Sequence, residues 1–205
     1  RHEDRPDVDA LFVEVLELCR EAGLDDRIDL QLRDYRHVEE QYSKVVSIEM
    51  LEAVGHAGLK TFFSACDKAL LPGGKAVVQV ITIPDRKYNS YRFSSDWIRK
   101  HIFPGGMLPS LTELSRAMTQ HSSLIVDHLD NIGIHYAEML RRWRSAFESN
   151  KAELIKRGYD GNFQRKWIYY LCYCEAGFQT RFINDLHLTL VRPAENTGQS
   201  VLPVA

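Results

Sequence analysis

"KVVSIEMLEAVGH", residues 44–56, decides the fold. Val45-Val46-Ser47-Ile48 is a short run, apolar on both faces, the pattern of a strand inside a parallel sheet. Glu49 and Glu52 follow it at once. Open α/β sheets bind ligands at the carboxyl ends of their strands, so acids placed there project into the crevice. The plainer alternative is a pair of helix N-terminal acids favoured by the macrodipole. Asp34 stands at the equivalent end of the preceding strand-like segment, which makes three acids available to grip a cationic or hydroxyl-rich ligand.

The flanking sequence supplies the rest of an α/β framework. Val8, Leu11, Phe12, Val15, Leu18 and Cys19 recur at amphipathic-helix spacing, and Gly23 is placed to end that helix. "RIDLQLRDY" (27–35) alternates Ile28, Leu30 and Leu32 with polar residues and predicts a strand with one buried face. The polar link "DYRHVEEQYS" is too short for a helical crossover of about 12 residues and reads as a loop over the sheet edge. "GLKTFFSACDKALL" (58–71) predicts a helix stopped by Pro72-Gly73-Gly74, and "KAVVQVITI" (75–83) another strand. Residues 84–111 are aromatic and punctuated by Pro and Gly, and read as a lid or active-site insertion. "SLIVDHLDN" (123–131) is then a strand. "IHYAEMLRRWRSAFESNKAELIKRG" (134–158) is a long helix closed by Gly158, and "FQRKWIYYLCYCEAGFQTRF" (163–182) an aromatic helix. "NDLHLTLVRP" (184–193) is a final strand. Residues 1–7 are expected to fray and 194–205 to be disordered, leaving one domain over 8–193.

Composition narrows the function classes. The 205 residues are 44% hydrophobic and 26% charged, with a formal net charge of −2, so no global basic field attracts nucleic acid. No apolar run approaches the roughly 18 residues of a membrane span. Cys19, Cys66, Cys172 and Cys174 form no paired CxxC spacing, which argues against a zinc site and for reduced core thiols in a cytosolic protein; no metal is expected.

Four motifs, in order, carry a family likeness: "SIEMLEAVG", "IFPGGMLPSL", "DNIGIHYAEMLRRW" and "YYLCYCEAGF". Together they resemble the cyclopropane-fatty-acyl-phospholipid synthases, which include the mycolic acid cyclopropane synthases, over residues 24–193. The resemblance implies a Rossmann-like S-adenosylmethionine methyltransferase that adds the sulfonium methyl across a cis double bond of a phospholipid acyl chain. The alkene is the nucleophile, and the resulting carbocation loses a proton to close the ring. In the family a bound bicarbonate ion takes that proton, held by a Glu, a Tyr, a His and an Ile backbone group, with a Cys nearby. Matched by motif, these fall on Glu52, Tyr136, Gln79 in place of the His, and Ile81. The Cys has no counterpart in this chain. Gln can donate a hydrogen bond but cannot share a proton. The resemblance further implies Asp34 and Tyr35 beside the adenine, and the backbone of Ser47, Ile48 and Glu49 on the methionine side. Trp97, Phe103, Trp143, Trp167, Tyr169 and Tyr170 are aromatic faces available to a cation, though each also suits ordinary core packing. Arg99, Lys100 and His101 are candidates for a phosphate head group, or simply a solvated helix face.

The expected fold is therefore α/β, a Rossmann-like methyltransferase sheet with an aromatic helical insertion, but incomplete. Upstream of Gly23 the sequence has no glycine, so the first strand, its glycine-rich turn and the ribose-binding acid of the family lack counterparts. The family orders its sheet 3-2-1-4-5-7-6; without strands 1 and 2, residues 44–48 gain an exposed apolar edge. The expectation is the carboxy-terminal portion of a synthase, cytoplasmic and peripheral at the membrane, self-association being one way to cover that edge, with weak or no binding of S-adenosylmethionine by the isolated chain. The competing expectations are a catalytically dead fold fragment serving as an interaction module, and a soluble small-molecule methyltransferase.

Overall fold

The computed structural model describes residues 8–194. The expectations for 1–7 and for 195–205 lie outside the described residues. The chain divides into two compact units, at Val38 and Glu39.

The first unit contains helix α1 (Val8–Glu21) and a short 3-10 turn (Tyr35–His37). The amphipathic spacing does give a helix, and Gly23 follows it at φ 64°, a left-handed conformation that glycine adopts without strain. None of the helix residues is buried. The strand predicted over 27–35 does not form. Residues 28–34 have no regular structure, and Ile28 and Leu32 are exposed. Alternation gives a strand one apolar face but no hydrogen-bonding partner, and a lone strand leaves its amides and carbonyls to water.

The second unit is a four-stranded sheet carrying helices. Strands β1 (Tyr42–Ile48), β2 (Leu70–Thr82), β3 (Ile125–Asn131) and β4 (Asn184–Val191) lie in the order β1-β2-β4-β3. β1 runs parallel to β2, while β4 runs antiparallel to both β2 and β3. This is the 4-5-7-6 half of the order implied by the resemblance. β1 is an edge, with Val46 and Ile48 each 66% exposed, so the bare apolar edge expected from the sequence is present.

Helix α2 (Leu51–Ala69) joins β1 to β2, kinked at Gly55 (φ 68°), and packs on β2. Leu70 and Leu71, predicted as the end of that helix, instead open β2. Gly74 is required where β1 and β2 meet: a Cβ there would sit 2.8 Å from the Leu71 carbonyl and 3.1 Å from that of Ser43. The insertion after β2 is helical: α3 (Asp85–Arg92), α4 (Trp97–His101) and α5 (Leu111–His121). The sequence reading missed α5, although Ser110 caps it by accepting from the Glu113 amide, a Ser-x-x-Glu start signal in plain view. α5 packs on α2. The predicted long helix of residues 134–158 is two, α6 (Gly133–Ser149) and α7 (Lys151–Lys156), interrupted at Asn150, whose side chain bonds back to the Ala146 carbonyl. α8 (Gly161–Gln179) packs on α6, and α6 on β4.

Side-chain alternation sorts the two faces of the sheet. Ala76, Val78, Val80, Leu188 and Leu190 are at most 3% exposed and form the core face. The odd-numbered residues of β2 and β4 face the other way, where Ile81 packs against the Ala137, Leu140, Leu171 and Phe178 cluster of α6 and α8. The four cysteines are free thiols, but only Cys66 is core. Cys172 is exposed, and burial pushes the Cys66 and Cys174 thiols up to about 12.

Candidate active site at the strand ends

Polar side chains converge at the carboxyl ends of β1 and β2. Glu49 leaves β1 at φ 49°, an unusual conformation for a residue with a Cβ, and its amide donates to the Gln79 carbonyl at 3.0 Å. Such backbone costs about 1–3 kcal/mol and persists where the surroundings over-determine it. It turns the chain from the strand into α2 so that both Glu49 and Glu52 point back at β2. From the other side, β4 sets His187 opposite Gln79 and Asp185 opposite Ile81. Gly133 allows α6 to start directly against β4, since a Cβ there would lie 3.0 Å from the Asp185 amide nitrogen. Tyr136 follows in the first turn of that helix, and its ring is fixed by stacking on Phe178, centroids 4.7 Å apart.

The result is one connected network. Glu49 Oε1 accepts from Tyr136 Oη at 2.6 Å and from Gln79 Nε2 at 3.0 Å. Gln79 Nε2 also donates to Asp185 Oδ2 at 2.7 Å, and its Oε1 lies 3.1 Å from His187 Nε2. Glu52 Oε1 accepts from the Ile81 amide at 2.5 Å. Glu52 Oε2, Asp185 Oδ1 and Ser47 Oγ are buried without a hydrogen-bond partner among the described residues.

Partly dry surroundings change the acidity of Glu52 and Asp185. Burial, with the charges of Glu49 and Asp185 adding to it, pushes the Glu52 carboxyl up to about 7. Burial and then Glu49 push Asp185 up to about 6, against the hydrogen bond from Gln79. Tyr136 is raised far above the usual phenol range by burial and by donating to Glu49, so it stays a donor. Burial likewise lifts Tyr170 to about 12.

Of the residues singled out in the sequence, Glu49, Glu52, Gln79, Ile81 and Tyr136 are brought together in the second unit. Ser47 contributes a buried hydroxyl near the end of β1, whereas the Ile48 side chain is exposed. Asp34 and Tyr35 belong to the first unit. The Asp34 carboxylate caps the short turn and is paired with Arg36, which holds it far below the usual carboxylate range. Arg99, a head-group candidate, instead donates to the carbonyls of Tyr91 and Ser94 and lies over the Tyr91 ring. Asp185 and His187 were missed. The signal was an acid and a histidine on the polar side of an alternating strand, "NDLHLTL".

The donor set can be tested against the two small molecules the resemblance implies. The Ser47 hydroxyl and the Glu49 turn offer polar groups at the strand end suited to the amino-acid part of S-adenosylmethionine. Bicarbonate would compete with the chain's own carboxylates for its donors. The three donors it would need, the Ile81 amide, the Tyr136 hydroxyl and the Gln79 amide group, are each already taken by a carboxylate of this chain. Among the described residues no group of three or more His, Cys, Asp or Glu could hold a metal ion, and no helix is long and apolar enough to cross a membrane.

The half-sheet and the polar cluster at its strand ends define the fold of the S-adenosylmethionine-dependent methyltransferases. Cyclopropane synthase MmaA2 from Mycobacterium tuberculosis superposes with a TM-score of 0.71 at 22% identity, covering 84% of this chain and 64% of that one. Mycolic acid cyclopropane synthase CmaA1, in a complex with SAH and CTAB, gives 0.72 at 23%, covering 84% and 65%. The sequence matches the mycolic acid cyclopropane synthetase family over residues 13–188, and the chain belongs to that family. It is 39% identical to tuberculostearic acid methyltransferase UfaA1 of M. tuberculosis over 186 residues, 89% of this chain and 44% of that protein. To the cyclopropane-fatty-acyl-phospholipid synthase of Escherichia coli K12 it is 31% identical over 174 residues, 85% of this chain and 43% of the relative. The chain thus spans less than half the length of these two relatives.

Proposed function

We propose that this chain supplies the catalytic side of an S-adenosylmethionine-dependent methyltransferase that acts on the double bond of an unsaturated phospholipid acyl chain, with a cyclopropane ring as the default product. The observation that carries this reading is the convergence of Glu52, Tyr136, Gln79 and the Ile81 amide at the carboxyl ends of β1 and β2, in a chain of this family. S-adenosylmethionine, when bound, supplies the electrophilic methyl. The chain's own groups hold the surroundings: Ser47 and the Glu49 backbone flank the methionine side, and the carboxyls of Glu49 and Asp185, held by Gln79, lie where the cation forms on the lipid. Bicarbonate, the base implied by the resemblance, finds its donors engaged, so no step is assigned to it. Contact with membrane lipid is proposed as peripheral, on the cytoplasmic side, with exposed Phe93 and Phe103 beside Arg92 and Lys100 as the first surface to test.

The test is mass spectrometry of lipids from a host without cyclopropane lipids. The chain is expressed alone and joined to the amino-terminal half of its 39%-identical relative. Acyl chains heavier by one methylene are expected from the joined protein. Unchanged lipids in both cases, with both proteins folded, would refute the reading.

A second reading, an interaction module, draws on the apolar edge of β1. If that edge mediates self-association, replacing Val46 and Ile48 together by Lys should shift the chain to a single monomeric species on size-exclusion chromatography, because charge on an edge strand opposes pairing. An elution position that ignores the substitutions rules out that interface.

A further inference from the structure

We propose that His56 is a positioning residue: through the Tyr88 hydroxyl it latches the insertion of residues 84–111 onto α2, and so fixes the backbone turn that carries Glu52. The inference rests on the methyltransferase reading above and concerns residues outside the strand-end cluster. His56 follows Gly55, where φ 68° and ψ 172° break α2 into a first turn and a body. The break sends the side chains before and after it to different elements. Glu52 reaches the Ile81 amide of β2, and His56 reaches Tyr88 of α3. His56 Nδ1 and Tyr88 Oη are 2.7 Å apart. Glu113 Oε2 stands 3.9 Å from the same nitrogen, and the other oxygen of Glu113 is engaged by Arg116. Tyr88 is therefore the hydrogen-bond partner of His56, and Glu113 a neighbouring charge. Burial, and then that charge, raise the Tyr88 phenol above its usual range, so it keeps its proton and Nδ1 is the acceptor.

The latch matters because of where Tyr88 sits. It is 3% exposed and packs with Ile83 and Met107. Ile83 directly follows β2, and its amide donates to the Pro109 carbonyl, which closes the base of the insertion. Met107 in turn donates its amide to the backbone carbonyl of Glu52 at 2.8 Å. The insertion thus grips α2 on both sides of the Gly55 break, at Glu52 through Met107 and at His56 through Tyr88. Its α4 meets α8, with Trp97 against Tyr169 and Phe103 against Tyr170. A buried hydroxyl deprived of its acceptor costs more than the bond itself contributes. Without His56, Tyr88 must stay orphaned or leave its pocket, and leaving draws Met107 away from the Glu52 carbonyl. Phe at position 88 creates no such orphan, because the His56 side chain is 32% exposed and can turn to water.

The experiment reads the latch by amide exchange in the chain itself and its consequence by rate in the joined protein. Hydrogen exchange at the Met107 amide is followed by NMR in the native chain, in His56→Leu, in His56→Asn, and in His56→Leu combined with Tyr88→Phe. His56→Leu should lose protection there by about 10–100-fold, the effect of one orphaned buried hydroxyl. His56→Asn, whose Oδ1 takes the place of Nδ1, should restore most of it. The double variant leaves no orphan and should also recover, or fold where His56→Leu alone does not. In the joined protein, acting on vesicles of an unsaturated phosphatidylglycerol, His56→Leu should lower kcat at least about tenfold and leave KM for lipid nearly unchanged, since a misplaced turn impairs the transition state rather than lipid capture. Native protection at Met107 in His56→Leu, an Asn variant no better than Leu, or a double variant no better than the single one overturns the latch. Lost protection with a native kcat overturns the positioning role. A joined protein that transfers no methyl with the native chain overturns the methyltransferase reading instead, while the exchange result still decides the latch.

Discussion

Glu52→Gln is expected to stabilise the folded chain at about pH 8 by roughly 1–2 kcal/mol while removing its chemistry. The sign follows from linkage. The Glu52 carboxyl is held at about 7 in the fold against 4.5 when free, so between those values the folded state binds more protons than the unfolded one. Its contribution is therefore complete below about pH 4.5 and is lost as pH rises through about 7. Asp185, raised from 3.8 to about 6 by burial, acts in the same direction over a slightly lower window. The charges acting on Glu52 are those of Glu49 and Asp185, both of which oppose its ionised form, while His187 bears on Asp185. A Gln at this position still accepts from the Ile81 amide and can turn its NH₂ toward the neighbouring carboxylates. Urea unfolding at about pH 5 and about pH 8 should show the native chain losing stability across the interval and the variant losing clearly less. Parallel pH profiles would mean that Glu52 is solvated and ordinary. A group that weakens the fold at neutral pH and has no structural partner for one oxygen is what a site retained for chemistry looks like.

Much of this site could be read from the sequence, and the boundary of what could not has a physical cause. Glu49 and Glu52 were legible because strand-then-acid is a local pattern, decided by residues within one turn of each other. Tyr136, Gln79 and Ile81 came from family motifs, and the fold does gather them. Asp185 lies 106 residues from Gln79 in the chain, and only the antiparallel register of β4 puts the two together. The strand expected over 27–35 failed for the complementary reason. Its alternation was sound, but a strand is completed by neighbours, and no strand pairs with it among the described residues. α5 was missed although its Ser110–Glu113 cap is local, because residues 112–122, between the punctuated insertion and the next strand, were given no reading. Arg99 was read as a head-group contact or a solvated helix face, whereas the carbonyls of Tyr91 and Ser94 take its guanidinium. Long charged side chains often serve the loops they cross, and spacing alone does not show it.

Phe63→Ala should be strongly destabilising, at about 3–5 kcal/mol. Phe63 is 1% exposed and meets the ring of Phe62 edge to face, with centroids 5.3 Å apart. Both belong to α2, which packs on β2 and on α5. Truncation would leave a cavity that the helix cannot close, because Leu59, Cys66 and Leu70 around that face are themselves buried. The consequence reaches the active site through the same helix. Glu52 stands in the first turn of α2, ahead of the Gly55 kink, and is aimed at Ile81 only while the body of the helix is pinned to β2. The sheet has little to compensate with, since β1 is paired on one side only and its Val46 and Ile48 gain nothing from burial. The expected result is a cooperative transition shifted to a much lower urea midpoint, with Phe63→Leu recovering more than half of the loss. The same Leu variant should leave the neutral titration of Glu52 in place, because it restores volume beneath α2. A Phe63→Ala chain as stable as the native one would show that α2 is not anchored by this core, and that the placement of Glu52 against Ile81 must be enforced from the loop between Ile48 and Leu51 instead.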